Sequence, residues 1–314
     1  MSLHAAILVK IVSVLLFAVM SALVRYLGEA GIPLGQVVFF RSLFALVLII
    51  ALYAARNEIG AAVRTSRLLG HVGRGSIGVA GMFLNFAALQ RLPLVDATAI
   101  TFAAPLITVA LAAIVLSERV RAYRWTAVGV GFVGVVVMLW PYLGLGRLVT
   151  AASAAATVGA MCAVASAFSN AFAVIQTRRL TDSETTSSIV FYFSLICTIA
   201  GGVVLPFVWI TPSLPQLVAL IGVGLLGGAS HLLLTESYRY APASVMAPFD
   251  YLALLFAFLI GWVVFGEIPT GWAYAGAGIV VLSGLFVIWR ERRLAAQRRK
   301  AAKPDEPAKP DDAA

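Results

Sequence analysis

Ten apolar segments of about 20 residues follow one another along almost the whole chain, and this pattern constrains the fold most strongly. An α-helix needs about 20 apolar residues to cross the hydrocarbon core of a bilayer. The composition agrees, because 61% of the residues are hydrophobic and 12% are charged, whereas soluble domains are roughly 45–50% apolar. We therefore predict an all-α integral membrane protein of ten transmembrane helices, at residues 5–27, 34–54, 70–90, 94–116, 124–142, 152–176, 187–210, 216–238, 243–265 and 271–289.

The two ends of the chain differ in character. The first apolar segment follows only four residues and has no basic leader and no small-residue cleavage site, so we expect it to stay as helix 1 rather than to be removed as a signal peptide. Residues 290–314 become basic and then low in complexity, ending in AAKPDEPAKPDDAA. Such a composition cannot bury a core, and we expect a disordered tail there.

The net charge of +9 could indicate a nucleic-acid binder, so the positions of the charges have to decide. If the N-terminus is cytoplasmic, eighteen of the 23 Lys and Arg residues fall on the cytoplasmic side and three, Arg25, Arg91 and Arg147, fall outside. Positively charged loops stay in the cytoplasm. We predict a membrane protein with both termini cytoplasmic, in contact with lipid and not with nucleic acid. The basic tail either binds anionic head groups or only flanks the last helix.

The sequence repeats itself at an offset of 149 residues. The matched positions are Gly73 with Gly222, Gly75 with Gly224, Gly78 with Gly227, Ala80 with Ala229, Pro93 with Pro242 and Glu118 with Glu267. Each unit, 5–142 and 152–289, contains five crossings, an odd number, so the second unit must be inverted relative to the first. Inverted repeats are typical of secondary transporters, whose substrate path lies near the midplane between the halves.

Ionisable residues inside membrane helices are expensive and are candidates for function. For Lys10 and Arg41 two alternatives stay open: the side chain extends to the membrane surface, or it acts in a site. Asp250 lies about two turns into predicted helix 9, next to Tyr251, and either lines a pocket or forms a structural pair with a basic residue such as Lys10. Asn85 and His231 are polar groups deep in equivalent helices. We predict Asn85, His231, Asp250 and Tyr251 as substrate-binding residues.

Prolines and glycines are the remaining special residues of the predicted helices. Pro105 and Pro248 each free a backbone carbonyl, which indicates either a cavity lined by helices 4 and 9 or only a harmless bend. The closely spaced glycines of helices 3 and 8 favour tight helix packing over direct ligand contact.

The usual catalytic motifs are absent from the sequence. It contains no CxxC, HExxH, GxSxG or Walker motif, and its two cysteines, Cys162 and Cys197, lie in apolar runs. We therefore predict no catalytic residue, no cofactor and no metal site, and a transport process that does not use ATP.

Residues Ala88 to Val137 resemble the EamA repeat of the drug/metabolite transporter superfamily, and a sister segment runs from Ser237 to Val287. The resemblance rests on a proline within helix 4, a glutamate at the helix end and a glycine-rich final helix, with an arginine in helix 2. The matching residues are Pro105, Glu118, Glu267 and Arg41. The sequence departs from the pattern at Leu254, where a second proline is expected, at Ser194, which replaces Arg41 in the second repeat, and at residues 247–251.

The resemblance implies a secondary carrier of the inner (plasma) membrane for a small organic metabolite, such as an amino acid or its derivative, a nucleotide-like metabolite or a vitamin such as riboflavin. It would work by alternating access and could form a homodimer. Arg41, Glu118 and Glu267 match the whole family and are therefore expected to serve the framework. Two other readings stay open: a membrane partner subunit that does not transport, and a lipid-modifying membrane enzyme, which would need clustered His, Asp or Glu at one interface.

Overall fold

The computed structural model describes residues 3–115, 122–142, 151–180, 183–240 and 246–301, and every regular element within these ranges is helical. There are also two short 3-10 helices. One, Trp140–Tyr142, follows the α-helix that ends at Leu139, and the other, Ala247–Tyr251, precedes the α-helix that begins at Leu252. The α-helices are α1 (Leu3–Glu29), α2 (Leu34–Ala55), α3 (Ile59–Val63), α4 (Leu68–Leu89), α5 (Leu94–Thr101), α6 (Ala103–Val115), α7 (Ala122–Leu139), α8 (Ala151–Leu180), α9 (Thr186–Val208), α10 (Leu214–Tyr240), α11 (Leu252–Phe265) and α12 (Gly271–Ala301).

The predicted crossings correspond to these helices. In the described residues, nine helical spans are long and apolar enough to cross a membrane, and Phe249–Phe265 is a shorter apolar helix at the position of predicted helix 9. The agreement follows from length, because a segment of about 20 apolar residues can satisfy its backbone in lipid only as a helix. The prediction of an all-helical membrane protein is confirmed.

Two predicted helices are irregular where proline removes a hydrogen-bond donor. Predicted helix 4 is divided at Phe102 into α5 and α6, and Pro105 cannot donate to the carbonyl of Thr101 just before the break. Predicted helix 9 begins in the described part with the 3-10 turn that contains Pro248. Asp250 therefore lies in this turn before α11, not two turns inside an α-helix.

The last helix is longer than predicted. The helix α12 continues to Ala301, so residues 290–301, which the sequence analysis placed in a disordered tail, are helical. Arg, Glu, Leu, Ala and Gln dominate this stretch and are strong helix formers. Residues 302–314 lie outside the described part of the chain.

Pairs of helices from the two halves pack closely. The helix α1 packs on α10, α4 packs on α8, α2 packs on α9 and α7 packs on α12. Small residues make this possible: Ala160, Ala163, Ala167 and Ala171 on α8 are almost fully buried. Between α7 and α12, a Cβ on Gly134 would be 2.8 Å from the carbonyl oxygen of Gly276, so no larger residue fits at that crossing.

Several glycines of α4 and α10 lie where another helix approaches closely. A Cβ on Gly75 would meet Ile196 on α9, and a Cβ on Gly228 would be 3.1 Å from the Cα of Ala45 on α2. These contacts are with other helices, which supports the interpretation of the glycines as packing positions.

Candidate functional site

A cavity of about 780 Å³ lies between α2, α9 and α10. It reaches the end of the bundle that carries Arg56, Glu58 and Glu184, called here the Glu184 end. Polar and charged side chains share its wall with apolar ones, unlike the surface that faces lipid tails. The lining residues are Leu48, Leu52, Tyr53, Arg56, Glu58, Ser187, Val190, Ala229, His231, Leu232, Leu233 and Glu236.

A second cavity is smaller and apolar. It has a volume of about 380 Å³ and lies along α8, from Thr157 to Phe168, beside Tyr142. Met161 and Phe168 in its lining are exposed on the outer face of α8. A groove of this kind suits lipid tails better than a polar metabolite.

His231 is the predicted site residue that lines the larger cavity. Its ring meets the ring of Phe17 edge-on at a centroid distance of 5.0 Å. The neighbouring Ser230 carbonyl accepts a hydrogen bond of 2.8 Å from Ser13 Oγ, also on α1. The imidazole is therefore held between α1 and the cavity.

Asp250 forms an ion pair with Lys10, whose Nζ lies 2.5 Å from Asp250 Oδ1. The Lys10 side chain is fully buried, whereas 42% of the Asp250 side chain is exposed. The idea that Lys10 extends to the membrane surface is therefore wrong, because its ammonium group turns inward to a carboxylate. Arg41, only 4% exposed, does not reach the surface either.

Tyr251 packs between two helices. Its ring stacks on Phe102, at the break between α5 and α6, with a centroid distance of 5.3 Å, and its hydroxyl lies against Gly284 on α12. Asn85 on α4 is partly buried, and its amide makes no hydrogen bond to the described residues.

The four predicted residues do not form one contact set. In the described ranges, α1 links His231 to Asp250, since their partners Phe17 and Lys10 lie seven residues, or about 10 Å, apart on that helix. Tyr251 contacts a different part of the bundle, and no described contact joins Asn85 to the other three.

Arg74 is a half-buried charge within a helix, although the charge count above placed it with the cytoplasmic loops. It lies inside α4, its guanidinium is 4.1 Å from the centroid of the Phe193 ring, and its Nε donates to Thr177 Oγ1 at 3.2 Å. The sequence did indicate that Arg74 lies within a helix, because it is the fifth residue of the predicted apolar segment 70–90. A count of loop charges ignores this position.

A polar network joins the two halves at the opposite end of the bundle, called here the Glu267 end. Arg25 Nη2 lies 2.5 Å from Glu267 Oε1, and both side chains are largely buried. Glu267 Oε2 accepts a hydrogen bond of 2.8 Å from the backbone N–H of Leu94, the first residue of α5. Nearby, Tyr142 donates a hydrogen bond to buried Asp96.

Glu267, which was expected to serve the framework, lies between α11 and α12. The helix N-terminus that its carboxylate meets is that of α5, in the other half of the chain, rather than that of the neighbouring α12. The physical role is the same, since the first N–H groups of any helix lack partners and favour negative charge. Glu118 lies outside the described residues.

Glu184 ties the two halves together at the Glu184 end. Its Oε1 accepts hydrogen bonds from the backbone N–H groups of Ser66, at 2.8 Å, and Arg67, at 2.9 Å, where α4 begins. The Ser66 hydroxyl donates to the same oxygen at 2.8 Å, and His71 Nε2 lies 3.3 Å from Oε2. Burial acts to raise the pKa of Glu184, but these hydrogen bonds outweigh it and lower the pKa to about 2.

Glu184→Gln is expected to lower the melting temperature by a few degrees at pH 7. A carboxylate with a lowered pKa contributes stability above its unfolded pKa, about 4.3, and loses that contribution as the pH falls toward about 2. The difference between wild type and variant should therefore shrink between about pH 4.5 and pH 2. Melting curves across this range check it, and a difference that does not change with pH would contradict it.

The described residues contain no group of three His, Cys, Asp or Glu side chains that could hold a metal ion. Cys162 and Cys197 are free thiols. The described residues thus form a polar-lined cavity and two polar networks, one at the Glu184 end and one at the Glu267 end. This arrangement is suited to binding and releasing a solute.

The chain matches known proteins over most of its length. The S-adenosylmethionine uptake transporter of Rickettsia prowazekii is 29% identical over 271 residues, which cover 86% of this chain and 87% of that protein. The riboflavin transporter of Rhizobium johnstonii is 30% identical over 74% of each chain, and the pseudopaline exporter CntI of Pseudomonas aeruginosa is 26% identical over 90% of this chain and 95% of its own.

A solved crystal structure shares the fold. The TM-score is 0.64 at 19% sequence identity, and the match covers 93% of this chain and 99% of the other. The model of the EamA-like transporter family matches twice, at residues 4–140 and 157–289. This chain, a multi-pass membrane protein, belongs to the EamA-like transporter family of the drug/metabolite transporter superfamily.

Proposed function

We propose that this protein is a secondary transporter that moves a small organic metabolite across the cell inner membrane by alternating access. The observation that carries the proposal is an asymmetry between the two ends of the bundle. A polar-lined cavity reaches the Glu184 end, whereas the Arg25–Glu267 pair and the Leu94 amide hold the two halves together at the Glu267 end. A carrier with one end open and the other closed has this form.

An inverted arrangement of two five-helix repeats, 5–142 and 152–289, supports this mechanism. The helix pairs are consistent with a two-fold relation, because exchanging the halves converts the α1–α10 pair into the α8–α4 pair. The same exchange leaves the α2–α9 and α7–α12 pairs unchanged. Rocking of one half against the other would then break the contacts at one end and form equivalent contacts at the other.

We assign solute contact to His231, Asn85, Asp250 and Tyr251. His231 has the strongest support, because it lines the cavity at a position fixed by Phe17. Asp250 retains an exposed carboxylate edge beside Lys10, which lets the pair meet a solute or a proton. Asn85 has an amide whose hydrogen-bonding capacity is unused by the described residues.

The related proteins bear on the class of solute. Their names specify S-adenosylmethionine, riboflavin and pseudopaline, and they include both uptake and export. A small organic metabolite is the class that fits all three.

A direct test measures the flux of a panel of metabolites into proteoliposomes that contain the purified full chain. The panel is chosen by comparing the metabolites inside and outside cells of a deletion strain. We expect at least one small organic solute to exchange across the bilayer without ATP, and empty liposomes serve as the control. A non-transporting partner subunit would exchange none of the panel.

The orientation is a separate prediction. With Arg74 set aside because it lies inside α4, the bias is seventeen Lys and Arg residues to three, which favours cytoplasmic termini. Reporter fusions after Arg64 and Arg299 should therefore read cytoplasmic, and a fusion at Gly144 should read periplasmic. A periplasmic signal at Arg299 would contradict an even number of crossings with both ends inside.

A further inference from the structure

Buried Arg41 and half-buried Arg74 make no ion pair with a carboxylate of the described residues. Arg41 on α2 is 4% exposed, and neither its Nε nor the buried Nη1 of Arg74 on α4 has a hydrogen-bond partner in the described part of the chain. A charge inside a membrane helix is expensive unless it is paired or hydrated.

Arg41 does not line the larger cavity but lies close to residues that do. Its Nε is 3.4 Å from the position that a Cβ would take on Gly227, which lies four residues, about one helical turn, from His231 on α10. His231 lines the cavity. On α2, Leu48 and Leu52 line the cavity. Leu48 lies seven residues after Arg41, and Leu52 lies four residues after Leu48, so all three share one face of the helix.

Arg74 approaches the same place from α4. Its guanidinium covers the ring of Phe193, which lies one turn from Cys197 on α9. Cys197 and His231 lie within electrostatic range of both guanidiniums, so the two arginines lie near one region of the bundle. This region therefore carries two positive charges, and the wall of the cavity beside it combines apolar and polar side chains.

We propose that Arg41 and Arg74 together bind the oxyanion group, a carboxylate or a phosphate, of an organic solute whose apolar part lies against Leu48, Leu52 and Val190. The planar guanidinium fork is suited to either oxyanion. The inference rests on the proposed function, because it assigns a substrate class to the same cavity. It also gives Arg41, expected to serve the framework, a role in binding.

The test uses three probes that share a phenyl ring: 3-phenylpropionate, its neutral carboxamide and phenyl phosphate. We expect the melting temperature of the detergent-purified full chain to rise with one or both anions and not with the amide. Arg41→Met and Arg74→Met should abolish the rise, and Arg41→Lys should retain part of it. The exposed Arg64, changed to Met, is the matched control and should keep the full rise.

The protein without probe gives a second readout. Because Arg41 makes no ion pair with the described residues, Arg41→Met removes a cost of burial, and its melting temperature should equal or exceed that of wild type. Any of three results would overturn the proposal. The amide could raise the melting temperature as much as the anions do, neither anion could raise it, or both Met variants could keep the full rise with the anions. In proteoliposomes, flux restricted to neutral or cationic solutes would overturn it and leave the proposed transport function standing, whereas absence of all flux would remove that function itself.

Discussion

Asp250→Asn is expected to lower the free energy of unfolding by about 2–4 kcal/mol. The substitution leaves the ammonium group of Lys10, which is fully buried, without the carboxylate 2.5 Å away. The lower end of the range reflects the partial exposure of Asp250, since solvent screens part of the interaction. Thermal unfolding of purified protein measures the effect, and an unchanged melting temperature would contradict the importance of the pair.

The double variant Lys10→Met/Asp250→Asn separates stability from function. It removes both charges, so most of the lost stability should return. If Asp250 also meets the solute or a coupling proton, flux in proteoliposomes should remain low and lose its pH dependence although the protein is folded. Flux that returns to the wild-type rate in the double variant would show that the pair is structural only.

Glu267→Gln is expected to lower the free energy of unfolding by about 1–3 kcal/mol and to leave substrate preference unchanged. The glutamine can still accept the hydrogen bond from the Leu94 amide, but it no longer pairs with Arg25. Melting temperature and the relative fluxes of several solutes measure the two parts of this prediction.

Glu29→Gln is the matched control for this variant. Glu29 also pairs with Arg25, at 3.1 Å, but its side chain is 49% exposed and lies four residues along the same helix. Such pairs contribute about 0.3–0.5 kcal/mol, so the control should be nearly neutral. Changed substrate preference in Glu267→Gln at a normal protein level would place Glu267 in the binding site instead.

The sequence predicts most of the fold because one physical requirement dominates it. Apolar length alone sets where helices cross, and the duplicated glycines indicate where backbones approach. Pro105 predicted an irregularity in its helix, and the structure has the break at Phe102. The helical stretch 290–301 was missed because the basic composition was taken as a sign of disorder, although its residues are good helix formers.

The site is less predictable, since its contacts join residues far apart in the chain. Lys10 was considered as a partner of Asp250, but only the packing of α1 against α11 brings the two charges together. The pairing of Glu267 with Arg25 and Leu94 depends on the same tertiary arrangement. Arg74 was counted as a loop charge because a topology count uses only the side of the membrane and not the burial of the side chain.

The central claim, alternating access, can be tested by locking the Glu267 end. A Cβ on Gly261 in α11 would lie 3.9 Å from the Cβ of Leu94 in α5, a distance that suits a disulfide. In a variant with Cys162 and Cys197 changed to Ala, Leu94→Cys/Gly261→Cys should cross-link on oxidation. We predict that the cross-link abolishes solute flux in proteoliposomes and that reduction restores it, whereas flux at the uncross-linked rate through fully cross-linked protein would contradict alternating access.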